Sequence, residues 1–463
     1  MLYGKLELMA CPNIVLLTLE CWRADHFGPS MPNLARLGAE SAVFSQAASS
    51  GGWTLVSMTA LMSSAYASMY GGCGVALATP HRYTLAESLL ENGYWTAGFT
   101  ANPICGSTQG FHRGFGEFLD ERRIPLALSG ELTGRAPDWQ RLLKEGFSPQ
   151  DTYAWRDAAH MTDRGLGWIE RRKRDEPYFL WLHYMDSHWP YLSAERTEDA
   201  GELRLLWEDQ NVYKDRVLPS RGRYDVGEGM AARWKQRYRN SLTSADQEIG
   251  RLLNELRSRP DWNNTIIVVT GDHGEELYEH GTWQHRWNQL HQEGIHVPLI
   301  LRIPGMAPVS LAEPVSHLDI APTLLDYAGA IPAGNRRRPM IGRSLRPVME
   351  DGSLPSKAIY TEMFAQPTGS SYLLSIREGE WKYIYDFDDP HNSVLYHLGE
   401  DPGEIHNVRD WQGTTFRRFE QMRLEHVSQG LLRLLGRQSP DRPVEMNDAV
   451  RGQMIALGYL SPE

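Results

Sequence analysis

Three short runs constrain the fold of this chain more than anything else in it: Asn13 to Leu19 (NIVLLTL), Tyr178 to Leu182 (YFLWL) and Thr265 to Thr270 (TIIVVT). Each is almost wholly apolar. A strand that is apolar on both faces must be covered on both faces, which is the situation of central strands in a parallel sheet packed between helices. Val297 to Ile303, stopped by Pro304-Gly305, and the weaker run Tyr94 to Thr100 add two further strands. Helical patterns fall between them at Pro32 to Ala39, Thr84 to Asn92, Tyr153 to Arg174, Ala231 to Arg259 and His317 to Tyr327. Strands alternating with helices predict an α/β fold with a mostly parallel sheet. Beyond about residue 350 the rhythm changes to short alternating strands (Tyr372 to Ile376, Trp381 to Tyr385, Val394 to Leu398) and a helix from Thr415 to Leu435. The expected division is an α/β domain over residues 1–355 and a small antiparallel sheet plus helix, an α+β domain, over residues 356–463.

In such sheets ligands bind beyond the carboxyl ends of the strands, so the residues just after each apolar run are the informative ones. They are polar here. The first run leads into Glu20, the second into His183, Asp186 and His188, and the third into Asp272-His273-Gly274 followed by Glu275 and Glu276. Carboxylates and imidazoles gathered at several strand ends are what a divalent-metal site requires. Taken singly, each has a structural reading: a helix cap for Glu20, a satisfied buried histidine for His183, the first turn of a helix for Glu275 and Glu276.

Composition narrows the functions. A formal net charge of -11 argues against a general nucleic-acid binder, and the basic run Arg171 to Arg174 reads as solvated surface. Cys11, Cys21, Cys73 and Cys105 show neither CxxC nor zinc-ribbon spacing, which fits a reducing compartment. No apolar stretch approaches the roughly 18 residues of a membrane span and no signal-peptide pattern opens the chain. The expectation is a soluble, cytoplasmic protein without an integral membrane segment, whose oligomeric state the sequence leaves open. Six tryptophans between Pro125 and Tyr224 (Trp139, Trp155, Trp168, Trp181, Trp189 and Trp207) are expected to shape a substrate pocket.

The order and wording of the motifs resemble the sulfatase family of the alkaline-phosphatase superfamily. PNIVLLTLECWRADHFG resembles its opening strand and metal-ligand turn, YFLWLHYMDSHWPY its HxxDxHxPY segment, and TIIVVTGDHGEELYEHG its metal-binding DHG segment; IHVPLILRIPG, HLDIAPTLLDYAG, LYHLGEDPGEIHNV and ALGYL extend the likeness over nearly the whole chain. The resemblance implies an alkaline-phosphatase-like fold, a large mixed sheet flanked by helices with a small C-terminal sheet and helix.

It also exposes departures. The family's nucleophile lies in a CxPSR segment, where Cys or Ser becomes formylglycine; the matching stretch here is Thr54-Leu55-Val56-Ser57-Met58. Threonine is not a substrate for that conversion, which leaves a hydroxyl activated by metal coordination. Thr54 follows Gly51-Gly52-Trp53 and is expected at a helix N-terminus, where backbone N–H groups favour a developing anion. The family's paired acidic ligands are here Glu20-Cys21, its GKWH element is replaced by Thr100-Ala101-Asn102-Pro103, and its later lysine appears as His285. Fewer hard oxygens favour Zn or Mn over Ca, as one or two ions. The set Glu20, Thr54, Asp272 and His273 resembles the ligand set of the superfamily's lipoteichoic-acid synthases and phosphoethanolamine transferases. Thr54, His183, His188 and His285 are the expected catalytic residues, and Asn102, Asp186 and His285 the expected contacts to a small anionic ester. The expected activity is metal-dependent hydrolysis of a phosphate diester, phosphonate or sulfate ester, phosphoester favoured. The rivals are a sulfatase acting without formylglycine, a phosphoryl-group transferase, and a catalytically silent anion-binding protein.

Overall fold

The computed structural model describes residues 11–69, 83–120, 157–172, 176–191, 200–217, 219–220, 224–285, 290–331, 340–352, 355–364 and 372–435. Fourteen described strands are β1 (Asn13–Leu19), β2 (Ala42–Phe44), β3 (Ala47–Ala48), β4 (Trp95–Thr100), β5 (Glu117–Asp120), β6 (Tyr178–Tyr184), β7 (Thr265–Gly271), β8 (Leu299–Arg302), β9 (Val309–Leu311), β10 (Val315–Ser316), β11 (Ile359–Phe364), β12 (Tyr372–Glu378), β13 (Trp381–Asp386) and β14 (Val394–His397). The described helices are α1 (Pro32–Gly38), α2 (Thr54–Ser63), α3 (Leu85–Glu91), α4 (Ala158–Arg171), α5 (Ala200–Val212), α6 (Glu228–Ser258), α7 (Gln292–Ile295), α8 (Ile320–Ala328), α9 (Arg346–Asp351) and α10 (Gly413–Leu435).

An eight-stranded sheet runs in the order β5-β4-β6-β1-β7-β8-β2-β9. Its first five strands are mutually parallel, and β8 lies antiparallel to both β7 and β2. The three apolar runs are its adjacent central strands β6, β1 and β7, and every residue of each is buried. Helix α6 shows why so long an element sits on this sheet: Trp234, Tyr238, Leu242, Ala245, Ile249, Leu252 and Leu256 recur every three or four residues and are all buried, one apolar stripe along 31 residues. It packs on α1 and α4, and α4 lies on β6. The C-terminal unit is the antiparallel sheet β11-β12-β13-β14 with α10 against β12. Two extra elements, β2 and β9, are three residues each, too short to carry a periodic signal.

The predicted helix Tyr153 to Arg174 is observed from Ala158 to Arg171, the two stretches 153–156 and 173–174 lying outside the described residues. The helix expected to open at Glu275 and Glu276 does not form. The backbone there pairs with α7 instead: Gly274 N–H donates to Gly294 O and Glu275 N–H to Glu293 O, each at 2.8 Å. A Cβ on Gly274 would stand 1.9 Å from Glu293 O, so only glycine permits this approach. Gly274→Ala is therefore expected to destabilise the fold by about 1–3 kcal/mol, the usual cost of overpacking, read as a lower urea midpoint; an unchanged midpoint would mean the two segments separate freely.

Of the six tryptophans, Trp168 and Trp181 belong to the core, and Trp189 packs on Tyr213 and Trp234 with ring centroids 4.7 and 4.4 Å apart. Trp139 and Trp155 fall outside the described residues. No described helix is long and apolar enough to cross a membrane.

Candidate active site

Register places the site. Leu19 of β1 pairs with Tyr184 of β6 and Gly271 of β7, so Glu20 and Asp272 emerge side by side at the carboxyl edge. Glu20 N–H is tied to Tyr184 O at 2.9 Å and Asp272 N–H to Leu19 O at 3.0 Å. From β4, Thr100 pairs with His183, which brings Asn102 to the same edge. Four parallel strands thus deliver Asn102, His183, Glu20 and the Asp272-His273 pair.

The second contribution is α2, whose first residue is Thr54 and whose ten residues are all buried. Gly51 makes that entry possible, because a Cβ there would lie 2.4 Å from the Ser57 nitrogen. Thr54 Oγ1 donates to Glu20 Oε1 at 2.6 Å and stands 3.2 Å from His273 Nε2. Beneath it, Ser57 Oγ donates to Asp272 O and contacts His317 Nδ1 at 2.9 Å. The HLDIAP segment therefore supports the helix and the ligand turn together.

The two oxygens of Glu20 have different work. Oε1 faces Thr54 and His273. Oε2 accepts from Asn102 Nδ2 at 2.9 Å and pairs with His183 Nε2 at 2.8 Å. His183 Nδ1 in turn meets Thr18 Oγ1 at 2.8 Å, which accepts from Trp181 Nε1 at 2.9 Å. Held between Thr18 and Glu20, His183 forms with Asn102 a clamp that aims Glu20. Both ends of the Asn102 amide are used, since its Oδ1 accepts from Ile104 N–H at 2.9 Å. Asp186 lies elsewhere: its Oδ1 accepts from Ala158 N–H at the start of α4, and among the described residues it makes no hydrogen bond to Glu20, Thr54, Asp272 or His273.

Charge is concentrated out of water. Burial opposes ionisation of Glu20, yet His183 and His273 outweigh it and hold the carboxyl well below its usual range. Asp272 is pushed up to about 7 by burial and by Glu20 beside it. For His273, burial disfavours the cation, but Asp272 and Glu20 prevail and raise it to about 9. Asp272 Oδ1 accepts from Cys21 N–H and His273 N–H at 2.8 and 2.7 Å, whereas its buried Oδ2 has no hydrogen-bond partner. A buried, unpartnered carboxylate oxygen among other ligand types is the signature of a cation position.

The distances to His273 Nε2 fit that reading, whereas Thr54 Oγ1 and Glu20 Oε1, 2.6 Å apart, are joined by a hydrogen bond. With metal–ligand bonds near 2.0 Å, tetrahedral ligand atoms stand about 3.3 Å apart. Here His273 Nε2 is 3.5 Å from Glu20 Oε1, 3.4 Å from Asp272 Oδ2 and 3.2 Å from Thr54 Oγ1. Three oxygens and one imidazole are a donor set for a divalent ion. His273 Nδ1 contacts Gly274 O at 2.7 Å, which keeps Nε2 as the coordinating atom.

Two residues named from the sequence but left outside the predicted site set border this centre. Glu275 is fully buried, neither of its oxygens has a hydrogen bond, and burial pushes its carboxyl up to about 7. Cys21 puts its sulfur 3.4 Å from His285 Nδ1, which is 3.5 Å from Glu275 Oε1. The His285 ring lies 4.4 Å from the His273 ring and 5.4 Å from that of His188. Glu20, Cys21, His273 and His285 offer ligand atoms within 4.8 Å of one another, as do Glu20, His183 and Asp272. A signal for Glu275 was its place in an unbroken polar run after β7; for Cys21, its place next to Glu20.

His183 and Asn102 both hold Glu20, so if Glu20 ligates a divalent ion, Asn102→Ala is expected to weaken Zn(II) binding about 10–100-fold, the usual effect of losing such a support, without displacing the fold. Titration against a competing chelator measures it; wild-type affinity would mean His183 holds Glu20 unaided.

A mostly parallel sheet with carboxylates, imidazoles and a helix-borne hydroxyl at its carboxyl edge defines an alkaline-phosphatase-like hydrolase architecture. The comparisons name the family within it. The family described as "Sulfatase" matches residues 12–330, and "N-sulphoglucosamine sulphohydrolase, C-terminal" matches residues 278–427. This chain belongs to the sulfatase family. It is 28% identical over 316 residues to choline-sulfatase of Rhizobium meliloti (strain 1021), covering 64% of this chain and 60% of that one. It is 32% identical over 222 residues to N-acetylglucosamine-6-O-sulfatase of Bacteroides thetaiotaomicron, covering 45% and 38%. The chain thus spans less than two thirds of either relative's length. In fold it resembles the phosphonate monoester hydrolase of Agrobacterium radiobacter (TM-score 0.69, 18% identity, 90% of this chain and 96% of that one). It also resembles BT4656 in complex with its substrate D-glucosamine-2-N,6-O-disulfate (TM-score 0.65, 19% identity, 94% and 100%).

Proposed function

We propose that this chain is a divalent-metal-dependent hydrolase of an anionic ester, with Thr54 as nucleophile and Glu20, Thr54, Asp272 and His273 as the residues that hold Zn or Mn. The observation that carries the proposal is Thr54 itself: a hydroxyl at the first residue of a buried helix, 2.6 Å from a carboxylate oxygen and 3.2 Å from an imidazole nitrogen. A bound divalent ion supplies charge neutralisation and lowers the pKa of the hydroxyl.

The chain's own groups supply the rest. Glu20, aimed by Asn102 and His183, accepts the Thr54 hydroxyl hydrogen bond on Oε1 and so orients Oγ1. Thr54 Oγ1 attacks the phosphorus in line, the ester oxygen leaves with a proton, and water then cleaves the phospho-threonine to regenerate Thr54. The start of α2 points its free N–H dipoles at the anion. His285 and His188 supply donors to non-bridging and leaving oxygens. Phosphoester is favoured because the side chain at the nucleophile position is threonine, as in the phosphoryl transferases whose ligand set the sequence resembles. The second reading, a sulfuric ester hydrolase working without formylglycine, is supported by relatives named as choline- and N-acetylglucosamine-6-O-sulfatases.

Turnover of bis(p-nitrophenyl) phosphate and p-nitrophenyl sulfate, side by side on Zn- or Mn-reconstituted protein, separates the two. Faster phosphodiester cleavage, lost on chelation, is the expected result. A sulfate preference would establish the second reading, and no turnover on either with metal bound would point to an anion-binding protein.

A further inference from the structure

Past Glu275 the chain folds back as a tight hairpin: Leu277 bridges Trp283, Tyr278 N–H donates to Thr282 O, and Gln284 N–H to Glu276 O, both at 2.8 Å. A cluster of ligand-type side chains sits at its base, sharing no residue with the Thr54 site. Glu276 Oε1 is 3.0 Å from His291 Nδ1, and Glu276 Oε2 accepts from Thr282 Oγ1 at 2.8 Å. His280 Nε2 is 3.3 Å from Glu293 Oε2. One ligand atom each of Glu276, His280 and His291 lies within 4.8 Å of the others. All four side chains are at most 15% exposed.

Two carboxylates, Glu276 and Glu293, and two imidazoles, His280 and His291, meet in this knot. The nearby cations are committed elsewhere, Lys382 to Glu404 at 2.7 Å and Arg23 to Asp25 and Glu279 at 2.6 and 2.8 Å. The imidazoles are stacked, with centroids 3.6 Å apart and planes 16° from parallel; two imidazolium charges that close repel each other strongly. A single dication balances both carboxylates and needs both imidazoles neutral. Two carboxylate oxygens and two imidazole nitrogens are a Zn or Mn donor set.

We propose that Glu276, His280, His291 and Glu293 form a second, structural divalent-cation site at the base of the 277–283 hairpin. Binding turns the two imidazoles out of their stack about χ2, so that their nitrogens converge with the carboxylates. The ion ties the hairpin to α7, whose neighbour His291 also faces Tyr396 of β14, with ring centroids 6.1 Å apart. It fixes the segment that carries His285 to the active site, and it does not depend on the chemistry assigned to Thr54.

The test is metal content. Full-length protein is stripped with chelator, reloaded with Zn(II), desalted and analysed by plasma mass spectrometry. His291→Phe and His280→Gln are each expected to lose one equivalent per chain relative to wild type. Asp272→Asn, which damages the Thr54 site, is expected to keep that equivalent, and Zn(II) should still raise its thermal midpoint by several degrees. Adding His291→Phe to Asp272→Asn should abolish that rise. Wild-type zinc content in both histidine variants, each with a wild-type circular dichroism spectrum, would overturn the site, as would an Asp272→Asn protein with no bound zinc and no thermal response.

Discussion

Thr54→Ala is expected to reduce turnover of any ester this chain hydrolyses by at least about 10⁴-fold, the order seen when a nucleophile is removed. The thermal midpoint of the metal-free protein should stay within a few degrees of wild type. The two expectations separate because of where Thr54 sits. Its hydroxyl makes no capping bond for α2 and, among the described residues, contacts Glu20 and His273, so its loss removes the proposed nucleophile and ligand while the buried helix keeps its packing. Thr54→Ser, which retains Oγ, should recover a substantial fraction of the rate. Thr54→Cys should not create a formylglycine enzyme, because Val56 and Met58 stand where the CxPSR segment has Pro and Arg. Single-turnover assays on the metal-loaded variants measure the effect. Full turnover in Thr54→Ala would remove Thr54 from the mechanism and leave a water as the attacking group.

How much of this was legible beforehand follows from the range of each signal. The strands β1, β6 and β7 are legible because double-sided burial demands consecutive apolar residues, and their carboxyl ends pick out Glu20, His183, Asp272 and His273 without any knowledge of register. Thr54 is legible as a helix start from the glycines before it. The direction of β8 is not, because an apolar run carries no sign of which way it enters the sheet. Nor are the roles of His183 and Asn102, whose partner Glu20 is 163 and 82 residues away; a strand-end histidine reads equally well as acid, ligand or clamp. Asp186 was drawn into the substrate group by its position after β6, but its carboxylate faces the α4 N-terminus. Glu275 and Glu276 read as a first helical turn because acidic residues are favoured there. What the local pattern omits is α7, some twenty residues on, whose Glu293 and Gly294 carbonyls take the N–H groups of Glu275 and Gly274 and so hold the backbone out of a helix.

Lys382→Met is expected to be the most damaging single change away from the catalytic centre, costing about 3–5 kcal/mol of stability, the usual penalty for orphaning a buried charge. Lys382 Nζ lies 2.7 Å from Glu404 Oε1, with neither side chain accessible to solvent, and also donates to Gln292 Oε1 at 3.3 Å. Burial drags the Lys382 ammonium below its ordinary pKa even with Glu404 beside it, so the pair is held together against a large desolvation cost. Methionine fills the volume but leaves the Glu404 carboxylate alone. In Lys382→Met/Glu404→Gln the residual charge is gone and the amide oxygen still accepts from Gln292 N–H, as Glu404 Oε2 does now. The double variant should therefore recover most of the loss, a coupling visible in urea midpoints. Equal destabilisation of the single and double variants would mean that packing, not charge, sets the cost. The functional consequence follows from Gln292 being the first residue of α7, whose next two carbonyls anchor the segment after His273. Since, among the described residues, the pair meets that segment through Gln292 of α7, Lys382→Met should leave kcat near wild type in the cold and shorten the lifetime of activity on warming.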